Sequence, residues 1–292
     1  MAELTYRALL VTMGFVLGVA VTARARAQPQ PQPQQQPQGQ PELRPQLQPE
    51  PQAQKPPADR RAKLIDDLVA ANRILVDQGV LDGYGHVSVR DPDDHSRYLM
   101  SRSLAPELVT AADVLAHDLD GAAPDARGAA LYLERFMHGE IYRARPDVNA
   151  VVHSHAPSLV PFGVTGVPLR PLYHMSAFLA GGVPVFDIRA VAGASDMLVR
   201  TPALGRALAQ TLGTHAVALM RGHGAVIVGP DLPHAVFRSV YTEVNARLQA
   251  QAMALRRDVK YLDAEEARRA EAALDGTLGR PWDLWRRKAL AR

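Results

Sequence analysis

His153 and His155 form a His-Ser-His triplet at the end of the apolar run Val148-Asn149-Ala150-Val151-Val152, in a chain of 292 residues. Strand side chains alternate between faces, so two histidines two residues apart project to the same side, near enough to chelate one cation. Two ordinary histidines at a strand end would produce the same spacing. His223 stands between Gly222 and Gly224, directly after a second apolar run. Flanking glycines let the backbone turn sharply and leave the imidazole uncrowded, as a ligand requires; a solvated hairpin histidine is the alternative. Three imidazoles at the ends of two strands in one sheet could complete a His₃ site with open positions for substrate. Glu134 lies among apolar neighbours in Leu131-Tyr132-Leu133-Glu134-Arg135-Phe136. It could move a proton beside such a metal, or pair on the surface with a nearby arginine.

These residues need a scaffold to hold them. Leu64, Ile65, Leu68, Ala71, Ile74 and Leu75 recur at helical spacing and predict a helix ending near Gly79. His86-Val87-Ser88-Val89-Arg90 alternates with period two and reads as a strand, with Tyr98-Leu99-Met100 as its hairpin partner. Val114 to Leu119 predicts a second hairpin, closed by Asp120-Gly121. A helix is expected from Ala129 to Arg143, placing Glu134 in its middle, and then a strand over 148–153. Thr201-Pro202 opens a helix through Leu212, strands follow at 216–220 and 225–228, and a long helix runs from Leu232 to Arg256. Strands in the middle with helices around them indicate an α/β layered domain.

The N-terminal residues have a different composition. An uncharged, mostly apolar run from Ala8 to Ala23 is preceded by Arg7 and followed by Arg24-Ala25-Arg26-Ala27, the pattern of a secretory signal peptide over residues 1–27, cleaved near Ala27. An uncleaved membrane anchor is the alternative; with cleavage, no stable membrane insertion is expected. Pro and Gln supply 22 of the 30 residues from Gln28 to Pro57, so residues 28–57 read as a disordered linker that cannot bury enough apolar surface to fold. The folded domain is expected over 58–275, with a C-terminal tail at 276–292 carrying the pair Trp282 and Trp285, which either docks on a body or stays free. Net charge is +3, falling to +1 without residues 1–27, and no basic face marks a nucleic-acid partner. The absence of cysteine excludes disulfides, thiolate metal sites and a cysteine nucleophile, leaving His, Asp and Glu for any metal.

The runs Glu134-Arg135-Phe136-Met137-His138, Arg145 to His155 and Arg221-Gly222-His223-Gly224 together resemble the class II aldolase/adducin family over about residues 60 to 262. The resemblance implies a three-layer α/β/α domain with a central, largely antiparallel sheet, assembled as a homo-oligomer, often a tetramer, with sites near subunit interfaces. It further implies one divalent metal per chain, zinc or manganese first and iron or cobalt next, held by His153, His155 and His223, with Glu134 as the catalytic acid/base.

Sugar-phosphate aldolases of that family carry Gly-Asn, a Pro-Ser-Gly-like turn and serines before the catalytic Glu to bind phosphate. Here Gly85-His86, Ser101-Arg102-Ser103-Leu104-Ala105 and Tyr132-Leu133 stand instead. Tyr132 and Leu133 cannot offer those hydroxyls, whereas Arg102 and Arg170 could clamp a carboxylate through two parallel hydrogen bonds. With Pro168-Leu169-Arg170-Pro171-Leu172-Tyr173-His174, the chain resembles the branch containing metal-dependent decarboxylases of hydroxylated aromatic or pyridine carboxylates. The expected substrate is therefore a small hydroxy-carboxylate, oriented by His86, Ser101, Arg102, Arg170 and His174. An aldolase or epimerase on a sugar derivative, an adducin-like binding protein and an iron oxygenase are the competing readings. His95, His117, His138, His215 and His234 read as ordinary surface or packing histidines.

Overall fold

The computed structural model describes residues 57–256 and 258–291, so the expected signal peptide, and all but the end of the expected linker, lie outside the described residues. Seven strands, β1 (His86–Arg90), β2 (Arg97–Ser101), β3 (Val114–Asp118), β4 (Ala150–Ser154), β5 (Val185–Phe186), β6 (Val217–Met220) and β7 (Gly224–Gly229), join in the order β3-β2-β1-β4-β7-β6-β5. All neighbours pair antiparallel except β5 with β6. The helices are α1 (Pro57–Asp77), α2 (Arg135–Ala144), α3 (Val160–Thr165), α4 (Arg189–Ala192), α5 (Pro202–Leu212), α6 (Leu232–Leu255), α7 (Ala264–Asp275) and α8 (Gly279–Leu290).

Strand parity divides the apolar side chains between two cores. Val87, Val89, Leu99, Ala150, Val152, Val217, Leu219, Ala225 and Ile227 join Leu68, Ile74 and Leu75 of α1 and Val236 and Val240 of α6. Their strand neighbours Tyr98, Met100, Val151, Ala218, Met220, Val226 and Val228 face Met137 and Ile141 of α2 and Leu208 and Leu212 of α5. Both faces of the sheet are thus covered, which is why the central strands read as continuous apolar runs. Each such Val, Leu or Ile contributes roughly 1.5–3 kcal/mol by leaving water. The result is the expected α/β/α layering with a largely antiparallel sheet.

Two expectations change, and one open alternative is resolved. α2 begins at Arg135, not near Ala129, because Ser103 N–H bonds to Ala130 C=O at 2.8 Å and the Tyr132 hydroxyl to Leu104 C=O at 2.5 Å, holding the preceding segment against the β2–β3 connection. β3 pairs back onto β2 with Leu99 opposite Ala116, so Asp120-Gly121 is a turn leading away from the sheet and closes no hairpin. Finally, the C-terminal aromatic pair docks on its own chain: α8 packs on α1, Trp282 and Trp285 join the first core, and Arg286 Nε donates to Asp67 at 3.1 Å.

Candidate metal centre and cleft

The register of three neighbouring strands brings the histidines together. His86 opens β1 directly opposite His153 near the end of β4, and Ser154 lies opposite Ala225 of β7, two residues beyond His223. His153 shares the parity of Val151 and so emerges on the α2 side of the sheet. β7 can approach β4 this closely because residue 224 is glycine: a Cβ there would overlap the Ser154 carbonyl oxygen. Gly85 likewise has φ +85°, and a Cβ on it would stand 2.9 Å from the His153 carbonyl oxygen.

Three Nε2 atoms converge. His155 Nε2 lies 2.9 Å from His153 Nε2 and 2.9 Å from His223 Nε2. His153 Nδ1 donates to the Ala225 carbonyl at 3.2 Å and His223 Nδ1 to the Met197 carbonyl at 3.1 Å. A carbonyl only accepts, so both rings carry their proton on Nδ1 and aim Nε2 lone pairs inward. Glu134 closes the group, with Oε2 at 3.3 Å from His153 Nε2 and 3.5 Å from His223 Nε2, and Oε1 accepting from Val199 N–H at 2.9 Å. One ligand atom from each of the four residues falls within 4.8 Å of all the others. Lone pairs facing one another this closely repel, and a divalent cation between them relieves that repulsion. Tautomers fixed from behind by carbonyls are what such a cation requires.

Electrostatics favour an ionised Glu134 and a neutral His155. Burial alone would raise the Glu134 carboxyl, but the His153 and His223 rings outweigh it and hold the group well below the usual carboxylate range. Burial, then the neighbouring His153 and His223, push His155 down to about 4, leaving it neutral and free to ligate. His223 is raised instead: desolvation would lower it, but its contact with Glu134 prevails.

Glu134 corrects the sequence expectation in a useful way. It sits at the N-cap of α2, with φ −94° and ψ 13°, rather than in mid-helix, and its side chain makes no capping bond. That frees the carboxylate to reach across to β4 and the 193–200 loop.

Beside the four residues opens a cleft of about 300 Å³, walled by Tyr84, Gly85, His86, Leu104, Tyr132, Leu133 and Leu198. Among the expected substrate residues, only His86 lines it. Ser101 is buried behind Tyr132, 3.4 Å from its hydroxyl. Arg102 Nε is tied to Asp113 at 2.7 Å, the Arg170 guanidinium stacks over Tyr261 at 4.2 Å, and His174 stands edge-on to Tyr173; none of the three borders the cleft. The carboxylate clamp expected of Arg102 and Arg170 is therefore not assembled at this cleft, because neither guanidinium borders it. Among the described residues, no Arg or Lys lines the cleft.

The model of the Class II Aldolase and Adducin N-terminal domain matches residues 66–250. The chain belongs to the class II aldolase/adducin family. Decarboxylase tropJ of Talaromyces stipitatus is 37% identical over 243 residues, 75% of this chain and 91% of that protein. The 3,4-dihydroxyphthalate decarboxylase of Arthrobacter keyseri is 32% identical over 202 residues, 63% of this chain and 76% of that one. Among solved structures, L-fuculose 1-phosphate aldolase from Glaciozyma antarctica shares the fold with a TM-score of 0.69 at 23% identity, covering 82% of this chain and 93% of its own.

In this class II aldolase/adducin chain, some contributors to the site left no signature in the sequence. Met197, with φ +69°, and Val199 supply the backbone groups that orient His223 and Glu134, and nothing in the residue types of a loop announces where its carbonyls point. His138 is different. Expected as an ordinary packing histidine, it is fully buried directly behind His86, and the spacing of His138 and Tyr142 at i and i+4, facing His86 and Ser88 at i and i+2, was a usable signal.

Proposed function

We propose that this chain is a divalent-metal-dependent carbon–carbon lyase that decarboxylates a hydroxylated aromatic carboxylate. The observation that carries the reading is the cleft itself: mostly apolar walls from Leu104, Tyr132, Leu133 and Leu198 opening onto the imidazole cluster and Glu134. Such walls suit an aromatic ring, and among the described residues no Arg or Lys lines them to meet a phosphate. Decarboxylases among the relatives, acting in one case on a dihydroxyphthalate by name, support the same substrate class.

His153, His155 and His223 would hold the cation, which when bound supplies Lewis acidity toward a substrate hydroxyl oxygen and takes up charge as the adjacent C–C bond breaks. Zinc and manganese are the leading candidates for it, with iron or cobalt next. Glu134, ionised in the resting site, acts first as a base. It takes the hydroxyl proton of the arriving substrate and, after carbon dioxide leaves, returns that proton to the vacated ring carbon. The phenolate product is reprotonated from water on release, which balances the reaction. Tyr132, fixed by its hydrogen bond to the Leu104 carbonyl at 2.5 Å, keeps one wall rigid. Elemental analysis of protein purified without chelators, followed by assay of hydroxy-aromatic acids for carbon dioxide release, tests the reading. Preferential cleavage of fuculose or ribulose phosphates would overturn it.

Export through the apolar N-terminal segment, with cleavage near Ala27 and a periplasmic or extracellular mature protein, is part of the same proposal; N-terminal sequencing from the native host tests it. So is a homotetramer, supported by the exposed apolar side chains Tyr84 and Leu133 at the cleft, 71% and 53% exposed, which a neighbouring copy would cover. Light scattering of the purified protein decides that point.

A further inference from the structure

Behind the cleft runs a line of buried polar groups that the proposed mechanism does not use. His86 Nδ1 lies 2.7 Å from His138 Nε2, Ser88 Oγ lies 2.6 Å from His138 Nδ1, and the Tyr142 hydroxyl lies 2.8 Å from Ser88 Oγ. His138, Ser88 and Tyr142 are at most 1% exposed. Two periodicities build the line: His86 and Ser88 share a face of β1, and His138 and Tyr142 stand one turn apart on α2.

The direction of each hydrogen bond follows from its closed end. The Arg90 guanidinium lies 4.7 Å over the Tyr142 ring and offers only donors. Among the described residues, the acceptor within reach of the Tyr142 O–H is Ser88 Oγ, and a buried hydroxyl proton without an acceptor is costly. Tyr142 therefore donates to Ser88, and the Ser88 O–H has only His138 Nδ1 left to donate to. A ring nitrogen that accepts carries no proton, so His138 is protonated at Nε2 and donates to His86 Nδ1. By the same logic His86 carries its proton at Nε2. Among the described residues, no protein group bonds to that atom, and it is not enclosed; it belongs to the ring that lines the cleft.

We propose that His138 is a positioning residue, which through Ser88 and Tyr142 fixes His86 in the tautomer that presents Nε2–H to the cleft, where it donates to an anionic oxygen of the substrate. The inference rests on reading the cleft as the active site. It gives the cleft a neutral donor in the place where no Arg or Lys stands, and a carboxylate or phenolate oxygen satisfies that donor whereas an ammonium or amide N–H does not.

A neutron crystal structure of the perdeuterated, zinc-loaded full chain reads the tautomers without substrate or turnover. Deuterium at Nε2 of both His86 and His138 is expected; deuterium at Nδ1 of either ring would overturn the proposal. A protein that releases no carbon dioxide from any hydroxy-aromatic acid would sink the proposed function while leaving this readout intact. Affinity gives a second test. Ser88→Ala and Tyr142→Phe alter the line without touching the cleft, and each is expected to weaken binding of 2,3-dihydroxybenzoate to the zinc-loaded protein by about five- to tenfold, with zinc content unchanged. Wild-type affinity in both variants, zinc retained, would contradict it, and Ser88→Ala alone suffices if Tyr142→Phe does not fold.

Discussion

Glu134 presents Oε2 3.3 Å from His153 Nε2 while Val199 N–H pins its Oε1 at 2.9 Å. One oxygen is fixed by the backbone and the other is left for chemistry. Glu134→Gln keeps the size and the acceptor for Val199 but cannot transfer the proton. Metal content is expected to stay near one per chain while kcat falls about 10²- to 10⁴-fold, the usual worth of a positioned acid/base. Near-normal turnover would reduce Glu134 to a structural role.

Removing an imidazole removes a ligand from a cluster whose fold is held elsewhere by two apolar cores. His153→Ala, His155→Ala and His223→Ala should each lose most bound metal on elemental analysis while keeping wild-type circular dichroism. His155, one residue past the end of β4 and only half-buried, is the cleanest of the three to test. A full metal complement in His155→Ala would refute the assignment.

Arg102 is bound to Asp113 at 2.7 Å and stands outside the cleft. Arg102→Lys, which would disable a bidentate carboxylate clamp, is accordingly expected to change kcat/KM for hydroxy-aromatic acids by no more than about twofold. A tenfold loss would mean that Arg102 reaches the substrate after all.

Trp285 is 9% exposed and packs with α1 and α6 in the larger core. Truncating a buried tryptophan costs roughly 3–5 kcal/mol, so Trp285→Ala should lower Tm by on the order of 10 °C. Unchanged melting would show that α8 docks without contributing to the stability of the domain.

The period-two and period-3.6 patterns made most strands and the longer helices legible, because burial on one face imposes the pattern directly on residue type. His153, His155 and His223 were legible for a related reason: each stands at a strand end, and strand ends follow from where the apolar runs stop. Glu134 was found as a residue but misplaced in its element, since the long-range hydrogen bonds that hold Ala130 and Tyr132 against Ser103 and Leu104 leave no sign in the sequence that the helix must start late. Arg102 and Arg170 misled because a guanidinium satisfies an internal partner as readily as a substrate, and only tertiary contacts show which it chose. The α8 tryptophans were visible, but their partner on α1 lies more than two hundred residues away in the chain.

His234 ties the start of α6 to the end of α7. Its Nδ1 bonds to Asp231 Oδ1 at 2.6 Å and its Nε2 to Asp275 Oδ1 at 2.8 Å, with Arg238 and Glu271 beside them on the same two helices. The bond to Asp231, then that to Asp275, outweigh partial burial and raise the imidazole above its ordinary value. A group raised in the folded state stabilises fully below its unfolded value of about 6.5, and that contribution disappears as pH rises through the raised folded value. Wild type should therefore melt higher than His234→Gln near pH 6, by on the order of 2–4 °C, and the gap should close by about pH 9. Salt should narrow the gap at pH 6 as well, because Asp275 is largely exposed and its side of the bridge is screened. A gap that stays constant from pH 6 to 9 would show that His234 contributes by packing rather than by charge.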